Sequence, residues 1–322
     1  MRRSTRASVV VGSDVRAGFF LLLVLAASFL AHGCTVHYAE DSDDSPTPAP
    51  SSSPTPPNVF VHVSAGWSNT CAVMNDGQVT CWGSNAVGES NSPPDRLSEF
   101  TGVSAGTSKA CGLTNETANT NYACWGDISV NDALSMPAGV FTGISVGDSH
   151  VCQLKGDGSV TCWGNNTYGQ AGVPPGLFAT VSAGVWHTCG VGADSQVRCW
   201  GDDTFLQSSP PTGAFRGVSG GLHHTCAITT SGSAACWGEN SYGQSSPPPG
   251  LFSQLSAGGS HSCGVKTDGS VTCWGGNATG QVNAPTGEFT EVSAGGYHTC
   301  GLLVDGTIEC WGVNSFGQAG SM

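Results

Sequence analysis

The sequence predicts an all-β protein, a seven-bladed β-propeller with one disulfide inside each blade. Three observations predict it: a motif that recurs seven times, a cysteine pair at a fixed place in every copy, and a composition hostile to helix. Of 322 residues, 47 are glycine and only 10% are charged, against about 25% charged in an average globular chain. Each glycine costs a helix interior about 1 kcal/mol relative to alanine. Short strands joined by tight turns suit this composition better.

The repeats begin after residue 55. Their cysteine pairs are Cys71/Cys81, Cys111/Cys124, Cys152/Cys162, Cys189/Cys199, Cys226/Cys236, Cys263/Cys273 and Cys300/Cys310. Successive first cysteines are 40, 41, 37, 37, 37 and 37 residues apart, and every second cysteine opens a Cys-Trp-Gly. A fuller copy is residues 250–281, GLFSQLSAGGSHSCGVKTDGSVTCWGGNATGQ. Phe252 and Leu255 lead an apolar strand into Ser-Ala-Gly, and the following HSCGVKTDGSVTCWG reads as two strands around a turn. Asn75-Asp76-Gly77 and its counterparts supply a glycine able to take the left-handed conformation of a three-residue hairpin loop. That loop sets residue 71 opposite residue 81, so the two cysteines face each other within disulfide reach. The second repeat has a longer loop, TNETANTNY, which breaks this register. The rival reading is a metal held by thiolates. It needs two pairs to converge, yet each pair belongs to its own hairpin.

Sheet units this small must stack to bury their faces, and a closed ring leaves no terminal unit bare. Segments such as PPGLF at 174–178 join one repeat to the next. The last repeat stops at GQAGSM without one, and Pro56-Pro57-Asn58-Val59-Phe60 resembles the missing piece. The expectation is therefore a propeller over residues 56–322 whose ring is closed by the N-terminal strand completing the final blade.

Upstream, residues 1–33 read as a secretory signal, with arginines ahead of an apolar run from Ala17 to Ala31 and small residues before Cys34. Cys34 also suits lipid attachment, although Leu30 lies one position further upstream than that pattern has it; an uncleaved membrane anchor is the third alternative. Residues 34–55 are rich in Pro, Ser and acids and read as a disordered tether. Removing residues 1–33 leaves 6 basic against 22 acidic residues, a net charge of −16. Such a surface repels nucleic acid and anionic lipid. Fourteen paired cysteines behind an export signal imply seven disulfides in an oxidising compartment.

The string SAGxxHTCxxxxDGxVxCWGxNxxGQ resembles the regulator-of-chromosome-condensation repeat. The short period and the GQ…PPG linker are similar to the β-lactamase-inhibitory protein II branch of that superfamily, and cysteine-paired versions occur in plant crinkly-type receptor ectodomains. The resemblance covers residues 56–322 and implies a seven-bladed ring with three strands per blade. Relatives include an exchange factor, an enzyme inhibitor and receptor ectodomains, so no activity is implied.

Histidines recur two places before five of the first cysteines (His150, His187, His224, His261, His298), with Asn69 and Lys109 in the other two repeats. A residue repeated blade after blade reads as structural hydrogen bonding rather than as a metal site or a pH sensor. The Cys-Trp-Gly tryptophans read as inter-blade packing, and the Asp-Gly turns need no calcium. No cofactor or metal is expected, and no nucleophile–base–acid set emerges, so the chain reads as a non-enzyme. Asn115, Asn165 and Asn277 would carry glycans in a eukaryotic host.

Variation within a constant repeat is more informative. The two positions after each glycine of the Ser-Ala-Gly type differ freely, and they hold Trp67, Trp186, His223 and Tyr297 where the core demands no ring. These four are the candidate binding residues, either anchors on one rim or packing against neighbouring blades. The functional expectation is a secreted or surface-anchored monomer that binds an extracellular protein, peptide or glycan and no nucleic acid, with a membrane tether through the N-terminus or Cys34. The alternatives are guanine-nucleotide exchange by family transfer and a structural wall or matrix protein.

Overall fold

Each copy of the motif folds into an antiparallel meander. In the first, β1 (Phe60–Ala65), β2 (Asn69–Met74) and β3 (Val79–Gly83) pair in the order β1-β2-β3. Six more three-stranded sheets follow, over residues 100–126, 143–164, 178–201, 215–238, 252–275 and 289–312. The computed structural model describes residues 58–93, 99–117, 120–129 and 135–322, all within one compact unit, Pro56–Met322. Residues 1–33, expected to be an export signal, residues 34–55, expected to be a tether, and Cys34 within them lie outside the described residues.

The predicted register holds. Cys71 pairs with Cys81 and Val73 with Val79, leaving residues 75–77 as the hairpin loop. All seven disulfides form as the spacing predicts: Cys71–Cys81, Cys111–Cys124, Cys152–Cys162, Cys189–Cys199, Cys226–Cys236, Cys263–Cys273 and Cys300–Cys310. The second repeat's long loop is absorbed beyond the ladder: Leu113 still pairs with Tyr122, and Cys111 still faces Cys124.

The repeat pattern treats the two cysteines of a pair alike, but the structure distinguishes them. The first of each pair is fully buried. The second is only half-buried, at Cys81, Cys124, Cys162, Cys199, Cys236, Cys273 and Cys310 alike. The reason is their place in the sheet. The first cysteine sits on the middle strand, flanked by a strand on each side, whereas the second sits on the third strand, which is the sheet's edge. These cysteines therefore act as staples inside each sheet.

The seam between the last and first repeats differs from expectation. β1 is not a strand of the seventh sheet. That sheet takes all three strands from its own repeat: β19 (Phe289–Ala294), β20 (His298–Leu303) and β21 (Ile308–Gly312). The physical reason is that the inner strand and the following hairpin are contiguous in sequence, so each repeat completes its own sheet. The Val59-Phe60 segment does act as the linker its sequence resembles. Phe60 N–H donates to Gly306 O of the last hairpin turn, as Phe252 N–H does to Gly232 O.

The seventh sheet meets the first through the contacts used at every other interface. Along the inner strands, Ser293 Oγ accepts the Ala65 N–H at 2.9 Å, and Ser64 Oγ accepts the Ala105 N–H at 2.9 Å. Ser104, Ser145, Ser182, Ser219 and Ser256 continue the series from sheet to sheet until it returns to Ser293. The core lies between sheets. Trp82 of the first sheet clusters with Cys300, Leu302 and Ile308 of the seventh, so the Cys-Trp-Gly tryptophans seal one sheet against the disulfide of its neighbour. One charged contact is peculiar to the seam. His62 places Nδ1 2.9 Å from Glu291 and Nε2 2.8 Å from Val103 O, spanning the seventh, first and second repeats. Burial opposes its charge, but the hydrogen bond and charge of Glu291 prevail and raise its pKa above 6.5.

The Ser-Ala-Gly glycines permit this close spacing. A Cβ on Gly221 would sit 2.6 Å from Gly258 O of the next sheet and 2.7 Å from the His224 ring. A backbone oxygen in a packed ring cannot retreat, so Gly221→Ala is expected to destabilise by about 1–3 kcal/mol. Gly217→Ala in the same sheet, where a Cβ meets nothing within 4 Å, should leave the urea midpoint nearly unchanged. Equal midpoints for the two variants would contradict this reading of the interface.

Candidate functional site

The meander sends two loops of every repeat to the same end of the ring. The Ser-Ala-Gly-x-x loop joins the first strand to the second there, and the third strand ends beside it, while the Asp-Gly hairpin turns lie at the opposite end. The residue after each Cys-Trp-Gly donates its N–H to the carbonyl of the second variable position, from Ser84 to Ser68 through Asp202 to Trp186 and Val313 to Tyr297. One backbone bond thus holds both loops in every repeat and leaves their side chains free to vary.

A second constant feature shapes the outer loop. In NxxGQ and its fourth-repeat counterpart Asp203-Thr-Phe-Leu-Gln207, the glutamine side-chain oxygen accepts the N–H two residues back: Gln170 from Tyr168, Gln207 from Phe205, Gln244 from Tyr242 and Gln318 from Phe316, each within 2.8–2.9 Å. In the first repeat the Glu89 carboxylate takes this part, accepting from Val87 N–H. The residue so held projects outward, and Tyr168 is 55% and Phe205 43% exposed. Sequence reasoning passed over these residues. The signal was available, because an aromatic precedes the Gly-Gln pair in three repeats, but its proximity to the other loop was not.

The four candidate residues fall into two groups. Trp67 and Tyr297 meet edge to face across the seam at 5.5 Å between centroids. Trp67 also lies over Gly296, where a Cβ would come within 2.9 Å of its indole, so this pair packs as well as faces outward. Trp186 and His223 lie 5.0 Å apart. Tyr168 approaches Trp186 at 6.3 Å and Phe205 approaches His223 at 4.6 Å. The result is a chain of four rings, Tyr168–Trp186–His223–Phe205, across the third to fifth repeats.

Carboxylates accompany these rings. Asp202 is buried, which would favour its neutral form, but Thr204, Gln207 at 2.7 Å and the nearby His223 hold its pKa below the usual value. Asp203 accepts the Ser208 N–H as the equivalent Asn166 does from Ala171. Both aspartates therefore serve their turns and place carboxylates on the rim. The described lysines and arginines are placed elsewhere. Lys155, Arg198, Arg216 and Lys266 lie toward the hairpin-turn end, and Lys109 is buried between sheets.

The recurring histidines are structural. Nε2 of His150, His187, His224, His261 and His298 each lies 2.8 Å from a Thr or Ser hydroxyl of the next repeat. Those hydroxyls donate to glutamine carbonyls, as Thr188 does to Gln170 O and Thr225 to Gln207 O. Each must therefore accept from the imidazole, which fixes the Nε2–H tautomer. The rings are fully buried, and burial holds their pKa values down to about 3 or about 4. Among the described residues no group of three or more His, Cys, Asp or Glu side chains is arranged to hold a metal. The axis of the ring carries a cavity of about 150 Å³ lined by the Ser-Ala-Gly segments of five repeats and their counterparts Ser145-Val146-Gly147 and Ser219-Gly220-Gly221. Among the described residues no helix is long and apolar enough to cross a membrane. Asn115, Asn165 and Asn277 are exposed, the last two in the loops of the aromatic rim.

A sequence profile of the regulator of chromosome condensation (RCC1) repeat matches residues 60–89, 141–170, 178–207, 215–244, 252–281 and 289–318, more than half of the chain. The repeat with the long hairpin loop lies outside these matches. Among solved structures, the CRINKLY ectodomain of the Arabidopsis thaliana receptor kinase ACR4 is 28% identical, with a TM-score of 0.67 over 82% of this chain and 98% of that one. The ectodomain of the Physcomitrella patens receptor kinase CR4 is 27% identical, with a TM-score of 0.64 over 79% and 74%. Prp20p from Saccharomyces cerevisiae, a protein characterised for binding Gsp1p and histones, is 16% identical, with a TM-score of 0.64 over 74% and 80%, a likeness of fold alone.

Proposed function

For a chain that belongs to the regulator of chromosome condensation (RCC1) repeat family, we propose the role of an exported, non-catalytic propeller that binds another macromolecule on its aromatic rim. The observation that carries this is the pairing of a constant loop backbone with variable, ring-bearing side chains: Trp186, His223 and Tyr297 all stand on carbonyls anchored the same way. A scaffold that holds loops rigid while their side chains differ suits recognition. Export follows from the signal-like residues 1–33 and the seven disulfides, which a reducing compartment would not sustain. The acidic, Pro/Ser-rich residues 34–55 would hold the propeller, residues 56–322, away from a wall or membrane. Likeness to two receptor ectodomains supports the same compartment. Nucleotide exchange, the alternative, is favoured by the family itself and opposed by the disulfides.

The test uses the exported protein immobilised as bait for the secreted proteins of its host. Replacing Trp67, Trp186 and Tyr297 together by alanine is expected to weaken capture at least thirtyfold, about 2 kcal/mol or more for buried aromatic anchors. Its melting temperature should show that the ring still forms. Undiminished capture would reject the rim. Intact mass of the exported chain checks the compartment, with cleavage after Gly33 and fourteen thiols oxidised as the expected result.

A further inference from the structure

One loop of the rim breaks a rule that five others keep, in the first, third, fifth, sixth and seventh repeats. In NxxGQ the glycine takes a left-handed conformation: φ is +85° at Gly169, +83° at Gly243, +84° at Gly280 and +82° at Gly317. The fourth repeat reads Asp-Asp-Thr-Phe-Leu-Gln, and Leu206 adopts φ +66° in the glycine's place. A branched side chain crowds the backbone there and is strained. The isobutyl group gains nothing from the fold in return, because Leu206 is 64% exposed. It adjoins Phe205, which stands at the end of the ring chain running through His223 and Trp186 to Tyr168. Strain held at an exposed apolar residue, at the end of a run of rings whose outer members Tyr168 and Phe205 are exposed and whose inner members Trp186 and His223 are half-buried, points to a contact made outside the chain.

The charges around this arc select the partner. Asp148, Asp202, Asp203 and Glu239 lie in the loops of the third to fifth repeats, and their hydrogen-bond donors, where present, are neutral. Among the described residues no exposed lysine or arginine lies on this rim, and His223 Nδ1 is buried without a partner. Aromatic faces bordered by uncompensated carboxylates attract arginine and lysine and repel acidic surfaces, nucleic acid and anionic lipid.

We propose that the arc formed by Tyr168, Trp186, Phe205, Leu206 and His223 docks a basic protein segment, with Leu206 entering an apolar socket and arginine or lysine side chains lying on the rings beside Asp203 and Glu239. This rests on the rim reading and narrows it to the third to fifth repeats. It also assigns the Trp67–Tyr297 pair to packing at the seam. Leu206 acts here as an anchor whose left-handed backbone is tolerated for the contact it makes.

The repeats themselves supply the test variants. Leu206→Gly installs the glycine of the neighbouring loops, and Asp203→Asn installs the asparagine found at Asn166 and Asn240, so both keep the turn. The probes are two synthetic peptides of alternating leucine and arginine or leucine and glutamate, titrated by tryptophan fluorescence into the exported protein. The arginine peptide is expected to bind and the glutamate peptide not to. Leu206→Gly should melt at a higher temperature than the parent yet bind the arginine peptide at least tenfold more weakly. Asp203→Asn with Glu239→Gln should weaken it in the same direction and flatten its salt dependence. With Leu206→Gly melting at or above the parent, lost binding cannot come from unfolding. Equal binding of both peptides, or unchanged binding by Leu206→Gly, overturns the proposal. Binding lost on replacing Trp67 and Tyr297 but kept by Leu206→Gly would retain the rim and remove the arc. Binding indifferent to every rim variant would remove both.

Discussion

Unfolding of the propeller at pH 5 is expected to take up about five protons, so that stability falls by about 7 kcal/mol for each pH unit of acidification near that value. The five buried histidines are the source. In the folded ring they stay neutral, with burial holding their pKa values at about 3 for His150, His224 and His298 and about 4 for His187 and His261. In the unfolded chain they titrate near the ordinary value of about 6.5. Between these limits the unfolded state binds more protons, so their destabilising effect is absent above about pH 7 and grows as pH falls through 6.5 toward 4. A typical domain stability of about 5–15 kcal/mol would be spent within one to two units. His62 has the opposite sign: its raised pKa adds stability fully present below pH 6.5 and lost as pH rises through the folded value. At pH 5 it is charged in both states, so it adds a constant stabilisation and nothing to the proton uptake. The slope of unfolding free energy against pH, measured in urea, checks the expectation. His224→Asn, which copies Asn69 of the first repeat, should lower the uptake by one proton. An uptake of one or fewer in the parent would mean that the native histidines are already charged, contrary to their single donor bond and dry surroundings.

Refolding in excess reductant is expected to yield no cooperatively folded ring. Each hairpin disulfide links cysteines 10 residues apart, or 13 in the second repeat. Closing a loop of that size contributes about 2.5–3 kcal/mol in the chain-entropy account. Seven such constraints exceed the whole net stability of an ordinary domain. In the native protein the first cysteine of every pair is buried, so reductant alone should act slowly and urea should accelerate it. Far-ultraviolet dichroism and gel filtration of the urea-unfolded protein, diluted with and without reductant, make the comparison. Cooperative refolding with all thiols free would show that the inter-sheet packing suffices by itself, and would reopen a reducing compartment.

Much of the fold was legible because its determinants are local. The Asp-Gly turn, the alternation of the hairpin and the facing cysteines all act within about a dozen residues, so register could be read off Cys71 and Cys81 and later found in the ladder. The site was legible in part. Trp186 and His223 stood out as rings at positions the repeat leaves free. Phe205 and Leu206 did not, although Phe205 lies nearer His223 than Trp186 does. Their loop follows the third strand, and only the ring geometry brings it beside the Ser-Ala-Gly loop of the next repeat.

By itself the sequence determined the seven hairpins, their disulfides and the propeller class, since each follows from turn chemistry and periodicity inside one repeat. The tertiary structure alone decided how the seam is made, which hydroxyl fixes each histidine tautomer, and which loops share a rim. Those depend on contacts such as Ser293 with Ala65 and His298 with Thr70, between residues 228 apart in the chain. No local pattern encodes a distance of that kind; it arises when seven wedges, each too small to bury its own faces, cover one another in turn.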